Sequence, residues 1–390
     1  MHTKQHISEG YKQTSIGIIP EDWEISRLAE ICSTFRSGNS ITSENIFSEG
    51  DFPVFGGNGF RGYTNSFTHS GEYILIGRQG ALCGNIKYIQ GDNYISEHAI
   101  AVQPNQDHFL KFWYYKLDFM KLNRLSESSA QPGLSVEKLG RIRIPLPPLP
   151  EQQKIAEILS TWDKAIETCQ KTIEELRLRN KALAQQLLSG KINNKNEEDQ
   201  LKDYHIIGKY VKEVSKRNTA LQEKRILSVT NSRGFINQSE QFGRELASAD
   251  LSNYKIVKKG QFAYNPSRVN VGSLDMLRTF DAGVLSPMYV VFEVTSKDLI
   301  PEFLYYHLKT YWFIGHIPMF VQGSVRDTLS FDGFSGMKFY IPTLEEQKKI
   351  VTILDAAASE LKHYEEKLTN LKLQKKGLMQ QLLTGKVRTV

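Results

Sequence analysis

Cysteine is scarce in this chain, with three in 390 residues. Cys32, Cys83 and Cys169 are scattered and none sits in a CxxC pair, which excludes a disulfide framework and the common cysteine-based zinc motifs. No stretch approaches the roughly 18 uninterrupted apolar residues of a membrane-spanning helix. The opening Met1-His2-Thr3-Lys4-Gln5-His6 lacks the apolar core of a signal peptide. Together these absences predict a reduced, cytoplasmic protein with no membrane partner. Charge of one sign is not in large excess either. Lys and Arg number 49 against 43 Asp and Glu, giving +6 and a pI near 8.9. Residues 1–149 hold 14 basic against 15 acidic side chains, and residues 193–344 hold 19 against 16. The balance permits a polyanionic partner without demanding one, and binding by the first region needs a local basic face.

Catalytic signatures are also missing. There is no GxxxxGK[ST] phosphate loop, no HExxH and no metal cluster, so no metal site is expected. The nine histidines are scattered and read as structural or exposed. Phe55-Gly56-Gly57-Asn58-Gly59-Phe60-Arg61-Gly62 is the richest glycine stretch. A nucleotide-binding loop should leave a strand and open a helix. Here Tyr63-Thr64-Asn65-Ser66 follows, which reads as more loop, so a glycine turn or a flexible loop beside a ligand is expected. Tyr264-Asn265-Pro266-Ser267 is similar to the Asn-Pro-Pro-Tyr element of amino-methyltransferases only in its Asn-Pro. No companion S-adenosylmethionine loop is visible, and the sequence offers no catalytic constellation.

What is present is a repeat. Leu149-Pro150-Glu151-Gln152-Gln153-Lys154-Ile155-Ala156-Glu157-Ile158-Leu159 returns as Leu344-Glu345-Glu346-Gln347-Lys348-Lys349-Ile350-Val351-Thr352-Ile353-Leu354, an offset of 195. The same offset lays Gln185-Gln186-Leu187-Leu188-Ser189-Gly190-Lys191 over Gln380-Gln381-Leu382-Leu383-Thr384-Gly385-Lys386, without a gap and with 17 of 43 positions identical. Both copies are punctuated as helices. Thr343 and Glu346 have capping-box spacing; Pro150 suits a first turn and Glu151 the positive end of the helix dipole; Gly190 and Gly385 are left-handed stops.

Between these ends the apolar residues follow heptads. One seam runs Ile155, Trp162, Cys169, Leu176, Leu183, matched by Ile350, Ala357, Tyr364, Leu371, Leu378. The other runs Leu159, Ile166, Ile173, Asn180, Leu187, matched by Leu354, Leu361, Leu368, Lys375, Leu382. This spacing predicts a coiled coil, with Asn180 and Lys375 as register-setting polar residues. Each helix could instead pack only on its own globular region, but two matched helices more naturally pair with each other. Paired antiparallel, about 40 residues at 1.5 Å give a rod of roughly 60 Å.

Upstream the two copies match in outline. Gly71-Glu72-Tyr73-Ile74-Leu75 parallels Gly260-Gln261-Phe262-Ala263-Tyr264, and Ile95-Ser96-Glu97-His98 parallels Leu285-Ser286-Pro287-Met288. Apolar runs follow both of the latter. Trp113–Leu117 parallels Leu304–Leu308, both on short helices. Short apolar runs between Gly, Asn and Asp clusters read as strands and turns. The fold class is therefore mixed α/β (α+β), two copies with a kept frame and divergent loops, as suits one task on two targets.

DNA readers place Arg, Lys, Asn, Gln, Ser and Thr on loops that reach base edges and phosphates. By correspondence the candidates are Arg78 and Gln79 opposite Ser267 and Arg268, with Asn265 beside them. Ser128, Ser129 and Gln131 stand opposite Gly323, Ser324 and Arg326. Asn58 and Arg61 in the glycine stretch, and Asn231 and Arg233 in the second copy, complete the set. An exposed, non-contacting role is the competing reading for each.

The motif Pro-Leu-Pro-x-Leu-x-Glu-Gln followed by a long helix ending Gln-Gln-Leu-Leu-x-Gly-Lys resembles the specificity subunit of type I restriction-modification systems. Tyr11-Lys12-Gln13-Thr14-Ser15-Ile16-Gly17 and Ile19-Pro20-Glu21-Asp22-Trp23-Glu24 are similar to that family's N-terminal segment. The resemblance implies two target recognition domains (1–149 and 205–343), a central helical spacer (150–191), a linker (192–204) and a C-terminal helical spacer (344–390). It implies double-stranded DNA as ligand, each domain reading half of a bipartite site. Two modification (methyltransferase) subunits and restriction subunits are the implied partners, in a bacterial or archaeal cytoplasm. S-adenosylmethionine, ATP and Mg are then expected on those partners, and no cofactor or catalytic residue on this chain. Two other classes compete: a self-sufficient DNA adenine methyltransferase, disfavoured by the absent cofactor loop, and a coiled-coil scaffold without a DNA role, which leaves two loop-divergent domains unexplained.

Overall fold

In the computed structural model the described residues are 9–80, 82–126, 133–189, 204–242, 250–321 and 328–389. The chain divides into two compact units, each combining one globular region with half of each long helix: residues 1–170 with 366–390, and residues 171–365. Among the described residues no helix is long and apolar enough to cross a membrane.

Both units are built on the same antiparallel four-stranded sheet. In the first the order is Cys32–Ser37, Ala99–Pro104, Glu72–Gly77, Ile86–Gln90; in the second it is Val211–Glu213, Val290–Val294, Phe262–Tyr264, Leu274–Met276. A two-stranded pair joins each entry strand to the strand before the long helix: Glu24–Arg27 with Arg143–Leu146, and Tyr204–Ile206 with Lys338–Tyr340. The helices Leu110–Met120 and Pro301–Leu308 occupy equivalent places in the chain order. So do the short helices Val136–Gly140 and Phe331–Ser335, capped by the Ser135 and Ser330 hydroxyls. The duplication seen in the helices thus extends to the four-stranded sheet, the two-stranded pair and the short helices.

The apolar runs in the central strands are continuous because both faces of each sheet are covered. Side chains alternate across a strand. In the first unit Ile74, Ile76, Ile100 and Val102 enter the main core with Phe112 and Trp113, whereas Leu75, Ala99 and Ala101 enter a smaller core with Ile95. In the second unit Phe262, Tyr264, Val290 and Phe292 enter the main core, and Ala263 and Val291 the smaller one. Phe262 and Phe292 are cross-strand partners with stacked rings 5.0 Å apart.

This alternation corrects the strand alignment read from sequence. Ile74 pairs with Val102, and Phe262 with Phe292, so Ile74 corresponds to Phe262 rather than Ala263. Sequence matching slipped by one residue, which would send each side chain to the wrong face. Gln79 therefore stands opposite Ser267, and Arg78 opposite Pro266. Of the two readings of the glycine stretch, a turn and a flexible loop, the turn holds. Phe52–Gly56 and Gly59–Thr64 form a hairpin turning at Gly57-Asn58, and Tyr63-Thr64 belong to its second strand. Its aromatic residues fill that face, with Phe55, Phe60 and Tyr63 in edge contacts.

The long helices span Leu149–Leu188 and Leu344–Leu382. Every proposed seam residue (Ile155, Leu159, Trp162, Ile166, Ile173, Leu176, Leu187, Ile350, Leu354, Leu361, Leu368, Leu371, Leu382) is buried or half-buried. Within the first unit the start of the central helix meets the end of the C-terminal one: Ile155 and Leu159 share a core with Leu382 and Leu383, and Lys375 Nζ reaches Asp163 Oδ1 at 2.5 Å. Within the second unit the opposite halves meet. Asn180 Nδ2 donates to the Ala357 carbonyl at 2.8 Å, and Arg177 and Arg179 pair with Glu365 and Glu360, each at 2.7 Å. Descending numbers on one helix meet ascending numbers on the other, so the pairing is antiparallel. Asn180 and Lys375 each find a specific polar partner, as register-setting residues should. Both packing modes considered for the helices are realised together, because helix ends also enter the globular cores.

The Glu-Gln of the repeated motif has a structural explanation. Gln152 Oε1 accepts from Phe109 N and its amide donates to Pro147 O; Gln347 Oε1 accepts from Ile300 N and its amide donates to Asp298 O and Pro342 O. Each buried glutamine ties the helix start to the loop before the short helix. The neighbouring glutamates diverge. Glu346 closes the capping box with Thr343. Glu151 is instead fully buried, accepting from Trp23 Nε1 at 2.7 Å and from Arg388 Nε and Nη2 at 2.8 and 3.0 Å. Its main role is thus a buried ion pair.

Lys116 and His307 also occupy equivalent buried places. Lys116 Nζ donates to the Leu383 carbonyl at 2.6 Å, and burial lowers its pKa to about 8. Among the described residues no hydrogen bond of normal geometry reaches either ring nitrogen of His307. Burial lowers its pKa to about 4, which the nearby carbonyls of His307 itself and Leu188 offset only in part.

Candidate nucleic-acid interface

In each unit a polar cleft lies between a hairpin tip and the end of a central strand. In the first unit the hairpin is held by Ser96 N donating to Phe55 O at 2.8 Å and by parallel pairing of Val54 and Phe55 with Tyr94 and Ile95. Its tip is pressed close: a Cβ on Gly57 would lie 2.8 Å from the His98 carbonyl oxygen and 3.1 Å from that of Gln79. No larger residue fits without moving backbone. The resulting cavity, about 240 Å³, is lined by Gly57, Asn58, Arg61, Gln79 and His98. Asn58, Arg61 and Gln79 are exposed, whereas Arg78 is half-buried and donates from Nη1 to Ser37 Oγ at 3.1 Å. The Arg78 backbone is clamped on both sides, its N–H donating to His98 O and its carbonyl accepting from Leu134 N, both at 2.9 Å.

In the second unit the hairpin Leu227–Thr230 with Gly234–Asn237 is anchored by Ser273 Oγ on Val229 O at 2.7 Å, and by Asp275 Oδ2 accepting from Phe235 N at 3.1 Å. Lys309 stands 3.6 Å from Asp275 and donates to Leu274 O. Burial lowers the Lys309 pKa and the Asp275 charge opposes that shift. A cavity of about 410 Å³ opens here, lined among others by Asn231, Asn265, Arg268, Tyr254, Ser286 and Met288. Asn231, Arg233, Ser267 and Arg268 are exposed. Asn265 is buried, with Oδ1 accepting from Ser267 N at 3.1 Å, so it shapes the turn that presents Ser267. The neighbouring Tyr264 hydroxyl is buried and finds no hydrogen-bond partner among the described residues, and desolvation holds its phenol well above the ordinary range, hence neutral.

The structure thus brings Asn58, Arg61 and Gln79 to one cleft, with Arg78 holding its wall, and Asn231, Asn265 and Arg268 to the other. Ser128, Ser129, Gln131, Ser324 and Arg326 lie outside the described residues. His98 and Met288 were not singled out as candidates. Their signal was present in the repeat, since both stand two residues after the matched Ser96 and Ser286 and both line a cleft. Among the described residues no group of three or more His, Cys, Asp or Glu side chains is arranged to hold a metal ion.

The family model described as the type I restriction modification DNA specificity domain matches residues 20–178 and 276–372. The chain belongs to this specificity-domain family. The match covers most of the first unit, including the strands that carry its cleft, about half of the second, and about three quarters of each long helix. Among curated relatives, the EcoprrI specificity subunit of Escherichia coli is 41% identical over 132 residues, a stretch that spans 33% of each chain. The MjaVIII specificity subunit of Methanocaldococcus jannaschii is 24% identical over 97% of this chain and 96% of its own. Among solved structures, the type I restriction-modification S subunit from M. genitalium superimposes with a TM-score of 0.61 at 17% identity, covering 92% of this chain and 96% of that one. A chain solved in work on type I R-M complex assembly and conformational transition gives 0.58 at 13% identity, covering 95% and 99%. These last two likenesses bear on the fold alone.

Proposed function

We propose that this chain is the DNA sequence-specificity subunit of a type I restriction-modification complex, each unit reading one half of a bipartite, asymmetric site. The observation that carries the reading is the equivalence of the two clefts. Both sit at the same point of the same frame, yet one is lined by Asn58, Arg61 and Gln79 and the other by Asn231, Asn265 and Arg268. A kept scaffold with different polar side chains at its mouth is what two readers of different sequences need. On this reading the chain is not itself an enzyme. S-adenosylmethionine would sit on two modification subunits, and ATP and Mg on restriction subunits, in the cytoplasm of a bacterium or archaeon.

The helices would set the half-site spacing and dock the modification subunits. Leu178 and Leu373 support docking of two identical partners. They are equivalent under the 195-residue repeat, and both point to solvent, 68% and 66% exposed. An exposed leucine recurring at one place in both copies fits a partner that is itself present twice.

The test is methylation by this chain together with its methyltransferase on DNA carrying the mapped site. Two or three base pairs inserted in the spacer should abolish methylation, and Arg268→Ala should relax one half-site while leaving the other and the assembly intact. Methylation that survives the insertion refutes a rigid spacing.

A further inference from the structure

We propose that His98 is a specificity-determining positioning residue, fixing which end of the Gln79 carboxamide faces the DNA; this rests on the cleft of the first unit being a reading site. A glutamine amide is two-faced, with Oε1 accepting and Nε2 donating. Free in a cleft it can turn over and satisfy either a base donor or a base acceptor. In this cleft it is not free. The His98 ring stands between two oxygens, Gln79 Oε1 at 2.9 Å from Nδ1 and Glu97 Oε1 at 3.2 Å from Nε2. Carrying a proton on each nitrogen, the ring donates to both oxygens. With Oε1 engaged by the ring, Gln79 presents its Nε2 donors to the cavity.

The backbone leaves little room to escape this arrangement. Arg78 N donates to the His98 carbonyl, so the two residues that follow the strand end and precede the next strand are held side by side. The hairpin tip lies so near that a Cβ on Gly57 would meet both His98 O and Gln79 O, which closes the cleft from the third side. Glu97 orients the ring, the ring orients the amide, and the amide meets the base. A donor face selects base acceptors such as guanine O6 and N7, thymine O4 or adenine N7; an acceptor face would select the amino groups of adenine or cytosine.

The experiment uses the full chain assembled with its methyltransferase and reads the methylated motif across a randomised site library. Gln79→Ala identifies the base position that Gln79 reads in the first half-site. His98→Leu, close to histidine in size but without a donor, should relax that same position by roughly tenfold, the scale of one good base contact. His98→Gln, which keeps a donor, should retain the preference, and His98→Leu should add nothing in the Gln79→Ala background. The second half-site should stay sharp throughout, which reports intact folding and assembly. A merely structural role for His98 predicts equal effects of Leu and Gln. If Gln79→Ala relaxes a position that His98→Leu leaves sharp, the inference alone is overturned. If Gln79→Ala changes nothing, the inference falls together with the reading of this cleft.

Discussion

Replacing Arg388 with alanine removes the only formal positive charge on the Glu151 side chain among the described contacts and should destabilise the first unit far more than a surface ion pair would. Glu151 is fully buried, while Arg388 is a quarter exposed, 0% and 25% by side chain. Three guanidinium hydrogen bonds are lost, two to Glu151 at 2.8 and 3.0 Å and an exposed one to Asp22 at 2.6 Å, and the Trp23 indole at 2.7 Å is left to hold the buried carboxylate. Breaking a buried pair by removing one partner costs about 3–5 kcal/mol because the other charge stays desolvated. The exposed edge of Arg388 and the surviving Trp23 bond place the expectation near the lower end, about 3 kcal/mol. For a unit of this size that corresponds to a fall in its melting temperature of roughly 6–12 °C. The assay is scanning calorimetry of the full chain, with Glu151→Gln as the second arm of a double-mutant cycle. A buried amide needs no counter-ion, so Arg388→Ala should cost only about 1 kcal/mol in that background, a coupling of about 2 kcal/mol. A cost below about 1 kcal/mol in the wild-type background, or the same cost in both, would refute the ion pair as a determinant of stability.

The equivalent buried residues Lys116 and His307 predict stability that rises with pH in two separate windows, one on each side of neutrality. Lys116, lowered to about 8, binds fewer protons folded than unfolded, so its unit gains stability as pH rises from about 8 toward 10; Lys116→Met should flatten that slope in chemical denaturation. His307, lowered to about 4, must charge on unfolding, so its unit loses about 3 kcal/mol as pH falls from 6.5 to 4; His307→Phe should abolish the loss. Leu178→Asp and Leu373→Asp should each remove one methyltransferase copy from the complex, measured as a change in mass by light scattering, and a full complement in both single variants would exclude this face. In the half-buried seam, Ile166→Asp with Leu361→Asp should cost roughly 3 kcal/mol or more per site and blur half-site spacing; unchanged methylation on spacer-length variants would show that the helices do not pair there.

The long helices were legible in the sequence because their signals are local. The heptads, the Thr343–Glu346 box and the polar interruptions at Asn180 and Lys375 all lie within one helix, and the structure gives each the predicted role. The frame of the globular units was legible in outline, but short strands carry little register information. The equivalence of Ile74 and Phe262 is set by strand pairing, which a one-residue shift in the sequence match does not reveal. The hairpin over Phe52–Thr64 was hidden by its glycines, which mark a tight tip and close backbone approach rather than a loop. The partners of Glu151 were beyond sequence reasoning altogether, since Trp23 and Arg388 lie 128 and 237 residues away. The site was half legible: Asn58, Arg61 and Gln79 do converge, but the hydrogen bond that brings His98 to Gln79 is a tertiary fact.

The division of the chain also has a consequence for synthesis. The second unit is one continuous stretch, residues 171–365, nested inside the first, which takes residues from either side of it. A ribosome can therefore deliver every residue of the inner unit before the outer one can close. Until residue 388 emerges, Glu151 has no cation, and until residues 382 and 383 emerge the outer core lacks two fully enclosed leucines. An interrupted chain would carry a finished inner module beside an open outer one. A chain released early therefore has at most one of its two units closed.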